Sequence, residues 1–99
     1  MIFNLEPCKR DKRGRNVTDY AVRDHYEKLA EELFEAHEAA IVNDPNAEAI
    51  ELLHVMTVCS TRIRNLGLSD EHLAELQQFV IEHNRERGYF EEAGNDNRT

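Results

Sequence analysis

The stretch EKLAEELFEAHEAA, residues 27–40, decides the fold class, because its apolar residues recur at the three- and four-residue steps of an α-helix. The apolar stripe starts before this stretch and runs past its end, and it comprises Val22, Tyr26, Leu29, Leu33, Ala36 and Ala40, widened by Ala30, Phe34 and Ile41. Thr18 can cap the helix at its start. We therefore predict a first helix near 19–42, with this stripe buried and an acidic face in solvent.

A second helix is predicted near 45–65, after the turn sequence NDPN. Asp44 can cap it and Pro45 suits its first position. From Leu52 to Cys59 the helix is apolar on nearly all sides, which is typical of a helix enclosed by neighbours. Apolar side chains surround more of the second helix than two partner helices can cover.

A third helix is predicted near 69–87, between Gly67, which closes the second helix, and Gly88. Ser69 can cap it, and its predicted buried side comprises Leu73, Leu76, Phe79 and Val80. The sequence shows no strand signals and no internal repeat. We therefore predict an all-α fold, an antiparallel bundle of three main helices that is completed by oligomerisation.

The sequence divides into a basic N-terminal arm, 1–17, a helical domain, 18–90, and a disordered tail, 91–99. The arm contains KRDKRGR, residues 9–15, and is interpreted as solvated. In one open alternative, this arm carries the function of the protein and docks the helical domain to nucleic acid or to an acidic protein. Removal of residues 1–15 would test that alternative.

The formal net charge of −8 favours cations as partners and argues against nucleic acid. Cys8 and Cys59 are isolated and are interpreted as free thiols of a reducing compartment. No run approaches the roughly 20 apolar residues of a membrane span. The N-terminus also lacks the apolar stretch of a signal peptide. A cytoplasmic protein without membrane contact is therefore expected.

Two pairs of glutamates lie at three-residue spacing, Glu32 with Glu35 in the first helix and Glu48 with Glu51 in the second. Glu32 lies at the edge of the apolar stripe, whereas Glu31 lies opposite it. The second pair begins a row of residues on one face of the helix, and this row continues with apolar residues. Antiparallel packing would therefore bring four carboxylates together at the boundary of the core.

Carboxylates about 4 Å apart repel one another by roughly 4 kcal/mol at an effective dielectric constant near 20. A divalent cation would compensate this repulsion, and an all-oxygen ligand set suits Mg²⁺ or Mn²⁺. The alternative interpretation places both pairs on a solvated rim with salt bridges. Periodicity alone leaves both open.

At these residues the chain resembles the MazG-like family of all-α nucleoside triphosphate pyrophosphohydrolases, a superfamily that includes phosphoribosyl-ATP pyrophosphohydrolases and dimeric dUTPases. EELFE, residues 31–35, is similar to the family's EExxE motif, and EAIE, residues 48–51, stands in place of ExxD after twelve intervening residues. ELLHVMTV is similar to the apolar run that follows, and HNRERGYF, residues 83–90, to the closing segment. The resemblance spans Tyr20 to Phe90.

The resemblance implies a Mg²⁺- or Mn²⁺-dependent enzyme that cleaves a nucleoside triphosphate to the monophosphate and pyrophosphate. It implies metal ligation by Glu32, Glu35, Glu48 and Glu51, and orientation of the attacking water by Glu31 or Glu35. It also implies nucleotide contacts from Lys28, Asn84, Arg85 and Arg87, and a homodimer or homotetramer. Glu51 departs from the family pattern, in which Asp is usual, and a lysine common before the closing asparagine is absent.

The competing hypothesis is a catalytically inactive MazG-like module for dimerisation or interaction. The histidines do not decide between the two, because they show no common metal spacing; they are His25, His37, His54, His72 and His83. His54, in the apolar run, is interpreted as a half-buried structural residue. Divalent-cation titration separates an enzyme from an inactive scaffold.

Overall fold

A computed structural model describes residues 5–92 of the chain, and this part is all-helical. A short 3₁₀ helix, Val17–Asp19, precedes α1, Val22–Ile41, α2, Pro45–Asn65, and α3, Asp70–Glu86. Residues 5–92 contain no strand beyond one isolated bridge between Arg10 and Asn16. The prediction of an all-α fold with three main helices is confirmed. The chain divides after Gly67 into two compact units, which are described separately.

The starts of α2 and α3 follow from their capping residues, as the sequence predicted. The Asp44 carboxylate accepts a hydrogen bond of 3.0 Å from the backbone N–H of Ala47. The Ser69 hydroxyl accepts one of 3.1 Å from the N–H of His72. Gly67, just past the end of α2, has a φ of 73°, a conformation that favours glycine. Local sequence therefore sets these boundaries.

The start of α1 differs from the prediction that Thr18 caps it. Thr18 lies in the 3₁₀ helix, and the extended backbone of Tyr20 and Ala21 interrupts the helical path. The Asp24 carboxylate accepts a hydrogen bond of 2.9 Å from the N–H of Ala21 and stabilises the new start at Val22. The Tyr20 hydroxyl also donates a 2.7 Å hydrogen bond back to Asp11, nine residues earlier.

Helices α1 and α2 form an antiparallel hairpin across the turn at residues 42–44. Near the start of α1, His25 contacts Asn65 at the end of α2, with 3.1 Å between Nε2 and Nδ2. Further along α1, Glu32 contacts His54, in the first half of α2. The pairing therefore runs in opposite directions along the two helices. The predicted antiparallel arrangement of the first two helices is confirmed.

The buried face of α1 shares only Ala36 with the apolar stripe that the sequence suggested. It comprises His25, Glu32, Ala36 and Ala39. Val22, Tyr26, Leu33 and Phe34 of the predicted stripe are 58, 55, 49 and 63% exposed. The small side chains of Ala36 and Ala39 allow close approach of α2, and this selects the face that packs. The larger apolar residues remain on the surface of the chain.

The predicted enclosure of α2 is also wrong within the chain. Thr61 is its only buried residue, and Leu52, Met56 and Ile63 are 45, 38 and 44% exposed. The physical reason is that α1 covers one side of α2 and the apolar circumference of α2 is wider than one helix can cover. The prediction for α3 fails similarly, because α3 buries none of its residues.

The N-terminal segment 5–19 is folded against α2 and is not wholly solvated. Val17 is buried, and its carbonyl accepts a hydrogen bond of 2.6 Å from Asn65 Nδ2. The backbone N–H of Cys8 donates a 2.9 Å hydrogen bond to the Thr61 hydroxyl. The solvated character that the sequence predicted applies to the charged side chains of Lys12 and Arg13, which are exposed. Of the predicted tail, 91–99, residues 93–99 lie outside the described part of the chain.

Candidate metal centre

Glu32 is the central residue of the candidate site, because it is an acidic side chain on the buried face of α1. Its side chain is 9% exposed. One carboxylate oxygen, Oε1, lies 3.0 Å from the ammonium nitrogen of Lys28, one turn earlier in the helix. The other, Oε2, is buried and has no hydrogen-bond partner. A buried carboxylate oxygen without a partner is costly, so it marks a place where a cation or a donor fits.

Helix α2 contributes Glu51 and His54 to the same place, because these residues are three apart and share a helix face. His54 Nδ1 lies 3.3 Å from Glu51 Oε2 and 3.5 Å from Glu32 Oε2. One donor atom from each of Glu32, Glu51 and His54 lies within 4.8 Å of the others. We call these three side chains the EEH group. Its donor atoms converge closely enough to hold one metal ion.

Electrostatics around the EEH group shows an excess of negative charge. A hydrogen bond with Glu51 and the negative charge of Glu32 raise the pKa of the Glu35 carboxyl. Burial acts to raise the pKa of Glu32 as well, but contacts with Lys28 and Glu51 outweigh it and the pKa is lowered. Three carboxylates therefore lie beside one ammonium. A divalent cation matches the charge that remains.

The donor set of the EEH group has a chemical preference among metals. It offers two carboxylate oxygens and one imidazole nitrogen, whereas Mg²⁺ prefers oxygen ligands throughout. Mn²⁺ accepts carboxylate oxygen and, as a first-row transition metal, also imidazole nitrogen. The residues present therefore fit a divalent metal, and they fit Mn²⁺ better than Mg²⁺.

The predicted carboxylates take different places around the group. Glu32 and Glu51 belong to it, and Glu35 is half-buried beside Glu51. Glu48 is half-buried one turn before Glu51 and is not one of the three converging residues. Glu31 is exposed, with its Oε1 3.7 Å from Lys28 Nζ.

The other predicted nucleotide-binding residues, Asn84, Arg85 and Arg87, lie at the C-terminal end of α3, in the second unit. Asn84 is half-buried, and its carbonyl accepts a hydrogen bond from the N–H of Tyr89. The guanidinium carbon of Arg87 lies 5.7 Å from the centre of the Tyr89 ring. These contacts stabilise the end of α3.

His54 is the residue of the site that sequence reasoning missed. It was interpreted as a half-buried structural residue, because the five histidines share no metal spacing, but its side chain is 55% exposed. The informative spacing is with an acid: Glu51-Leu-Leu-His54 is a Glu-x-x-His motif, which places both side chains on one helix face. Helical proteins that bind two metal ions use this motif together with a Glu from a facing helix.

Comparison of the chain with models of protein families, with curated proteins and with solved structures returns no match. Among the described helices, none combines the length and apolar character that crossing a membrane requires.

Proposed function

We propose that the protein is a metal-dependent nucleotide pyrophosphohydrolase that cleaves a nucleoside triphosphate to the monophosphate and pyrophosphate. The observation that carries this proposal is the buried Oε2 of Glu32, which has no hydrogen-bond partner and lies beside the side chains of Glu51 and His54. It supports a cation site between α1 and α2. The resemblance of EELFE and EAIE to the MazG-like motifs supports the choice of reaction.

Glu32, Glu51 and His54 would hold the metal, with Glu35 and Glu48 as the adjacent carboxylates. When bound, the metal would neutralise charge on the phosphates and lower the pKa of a bound water. We propose Mn²⁺ as the preferred ion and Mg²⁺ as the alternative, because of the imidazole nitrogen of His54.

Glu35 is the stronger candidate for orienting the attacking water. It is half-buried and next to Glu51 but is not one of the three converging residues, so its oxygens are not all committed to the metal. Glu31 is exposed and pairs with Lys28, so it is the weaker candidate. Lys28 would contact a phosphate. On the resemblance alone, Asn84, Arg85 and Arg87 remain candidates for nucleotide contacts.

We further propose that the protein is a homodimer, or a homotetramer built from such dimers. The buried apolar residues among those described are few, namely Val17, Ala36 and Ala39. An exposed stripe on α2 has the alternating four- and three-residue spacing of a helix–helix seam, and it comprises Leu52, Met56, Cys59, Ile63 and Leu66. A second copy would cover this stripe.

The free, exposed Cys8 and Cys59 support a reducing, cytoplasmic location.

The alternative, a catalytically inactive helical module, has one observation in its favour. Lys28 already neutralises one oxygen of Glu32, so part of the negative charge is compensated without a metal. The two proposals differ in metal dependence. An inactive scaffold requires no metal-dependent stabilisation and releases no pyrophosphate.

A nucleotide panel with Mn²⁺ or Mg²⁺, scored for pyrophosphate against orthophosphate, tests the proposed function. Pyrophosphate release by the wild type and its loss in Glu51→Gln are expected. The matched control is Glu38→Gln, an exposed glutamate of α1 outside the group, which should retain activity. Absence of turnover together with absence of metal-dependent thermal stabilisation would favour the inactive module.

A further inference from the structure

The N-terminal segment, residues 5–19, has little apolar contact with the hairpin of α1 and α2. Val17 is the one buried residue of the segment. Beside it lies a cavity of about 80 Å³, whose lining includes Cys8 and Val17 from the segment and Val58 and Thr61 from α2. The segment is therefore not close-packed on the helices at this place. Polar contacts hold it there.

The segment also has hydrogen bonds of its own. The N–H of Val17 donates to the carbonyl of Lys9, and the N–H of Asp11 donates to the carbonyl of Arg15, both at 3.0 Å. The Asp11 carboxylate accepts a further hydrogen bond of 3.0 Å from the Arg15 guanidinium. Because these bonds do not involve the hairpin, the segment can leave it as a unit.

Hydrogen bonds connect the segment with α2 at Thr61 and Asn65. The N–H of Cys8 donates to the Thr61 hydroxyl at 2.9 Å, and the carbonyl of Val17 accepts from Asn65 Nδ2 at 2.6 Å. The same Nδ2 lies 3.1 Å from Nε2 of His25 in α1. One side-chain amide therefore joins the segment to both helices.

This bridge fixes the protonation state of His25. The Val17 carbonyl can only accept, so the atom of Asn65 that faces it is the amide nitrogen. That nitrogen carries a second N–H, which is donated to Nε2 of His25. Nε2 is therefore an acceptor without a proton. The bridge requires a neutral imidazole with its proton on Nδ1.

Protonation of His25 is incompatible with the bridge. An imidazolium carries an N–H at Nε2, which would face the N–H of Asn65. Rotation of the Asn65 amide by half a turn would bring its oxygen to the imidazolium, but would leave the Val17 carbonyl without a donor. A hydrogen bond from a charged donor is the stronger of the two, so the bond to Val17 is the one that is lost.

The surroundings of His25 oppose its protonation while the segment is attached. The residue is 3% exposed, and burial together with the positive charge of Arg62 lowers the pKa of its imidazole. Asp24 acts in the opposite direction, but its carboxylate accepts from the N–H of Ala21 and lies 4.0 Å from Arg15. In water the imidazole has its ordinary pKa of about 6.5. Attachment is therefore fully favoured above this value and weakens as pH falls from it toward the lowered one.

The cavity beside His25 is lined by further charged or titratable groups, namely Cys8, Arg10, Asp11, Tyr20 and Lys28. The hydrogen bond from the Tyr20 hydroxyl holds the pKa of Asp11 well below its usual range, so Asp11 stays ionised at about pH 5.5. Burial raises the pKa of Tyr20, and the hydrogen bond with Glu32 raises that of Lys28. These three groups keep their charge between about pH 7.5 and pH 5.5, whereas an imidazole changes its charge in this range.

We propose that His25 and Asn65 form a pH-dependent latch, which holds the N-terminal segment on the hairpin while the imidazole is neutral and releases the segment when the imidazole is protonated. Release separates the N–H of Cys8 from the Thr61 hydroxyl and opens the cavity beside Val58 to solvent. The latch lies apart from the EEH group and does not depend on the proposed function.

Hydrogen exchange measured by NMR on the full-length protein tests the latch. The reporter is the backbone N–H of Cys8, because its acceptor belongs to α2. We expect its protection factor, which corrects for the intrinsic exchange rate at each pH, to fall by about five- to tenfold between about pH 7.5 and pH 5.5. N–H groups in the middle of α2 should keep their protection. This difference distinguishes release of the segment from unfolding of the hairpin.

Three variants complete the experiment. In His25→Gln the side chain is neutral at both pH values, so the protection of the Cys8 N–H should change by less than about twofold. His37→Gln, at an exposed position of the same helix, is the matched control and should behave as the wild type does. Asn65→Ala removes the bridge whatever the charge of His25, so it should lower the protection at both pH values.

Equal protection of the Cys8 N–H at both pH values in the wild type would overturn the proposal, and so would an undiminished decrease in His25→Gln. A parallel loss of protection in α2 would also overturn it, because the hairpin itself would then unfold. The nitrogen NMR shifts of the His25 ring at about pH 7.5 provide a second test without any variant, because the bridge requires the proton on Nδ1. A proton on Nε2 would refute the latch.

Discussion

The ammonium of Lys28 lies 3.0 Å from Oε1 of Glu32, while Oε2 of the same carboxylate is buried without a hydrogen-bond partner. One oxygen is therefore compensated by Lys28, whereas the other has His54 Nδ1 beside it at 3.5 Å without a hydrogen bond. This single ion pair thus lies at the edge of the proposed metal group.

Removal of the lysine charge in Lys28→Gln should destabilise the metal-free protein by about 1–3 kcal/mol, because it leaves a buried carboxylate without its cation. The added stabilisation by Mn²⁺ should become larger than in the wild type, since the group is then more negative. Urea unfolding with and without Mn²⁺ measures both effects. Arg23→Gln, which breaks an exposed pair with Glu27, should change stability by less than about 0.5 kcal/mol. An equal response of the two variants would contradict a special role for Lys28.

Glu51→Gln should stabilise the metal-free protein slightly, because it relieves repulsion with Glu32 and Glu35. With Mn²⁺ the order should reverse, because the wild type gains about 2.7 kcal/mol at a metal concentration of 100 times Kd. Thermal melts of both proteins with and without Mn²⁺ measure the reversal. Glu48→Gln, one turn away and outside the EEH group, should reduce the metal response less. Parallel shifts of wild type and Glu51→Gln on adding Mn²⁺ would exclude Glu51 as a ligand.

His54→Glu should change the metal preference. It replaces the imidazole nitrogen by a carboxylate oxygen, and the resulting all-oxygen set suits Mg²⁺. We expect the ratio of Mn²⁺ to Mg²⁺ affinity to fall by about tenfold or more, measured by competition titration. An unchanged ratio would show that His54 does not contact the metal.

His25 should make stability depend on pH. Burial and the positive charge of Arg62 lower the pKa of the His25 imidazole, and its Nε2 accepts a hydrogen bond from Asn65. The unfolded chain therefore takes up this proton at a higher pH than the folded chain. Stability from this residue is complete above the ordinary histidine pKa of about 6.5 and is lost as pH falls below it.

Urea unfolding at about pH 7.5 and pH 5.5 checks this sign, since the two values lie on either side of the ordinary histidine pKa. The decrease in stability at the lower pH should be smaller in His25→Gln than in the wild type. His37→Gln, at an exposed position of the same helix, should leave the decrease unchanged. A decrease in His25→Gln equal to that of the wild type would contradict the assignment.

Ile63→Glu should dissociate the proposed dimer, because it places a charge within the exposed apolar stripe of α2. Sedimentation should show a dimer for the wild type and an 11.5 kDa species for the variant. Ile63 is 44% exposed within the chain, so the variant should retain its helical circular dichroism spectrum. A wild type that sediments only as 11.5 kDa at micromolar concentration would refute the dimer.

Helix boundaries that depend on a capping residue were predicted correctly, as at Asp44 and Ser69. Their hydrogen bonds connect residues three apart, so the local sequence contains the whole interaction. Thr18 was the exception, because the Asp24 carboxylate accepts from the N–H of Ala21 and α1 starts at Val22 instead. The residues of the candidate site likewise divide into those predicted from local sequence and those recognised only from the tertiary structure. Glu32 and Glu51 were predicted as metal ligands from their spacing. The role of His54 as a third ligand could be recognised only from the contact between α1 and α2.

By itself the sequence determined that the chain is all-helical, where α2 and α3 begin, and which acids lie near the interface of α1 and α2. These properties follow from hydrogen bonds within a few residues and from the 3.6-residue period. Only the tertiary structure decided which face of α1 is buried. The face with Ala36 and Ala39 packs because small side chains allow close approach, and that choice buries Glu32 against His54 and exposes Leu33. The periodic pattern supplies two adjacent apolar faces on α1, and the fit of the facing helix selects between them.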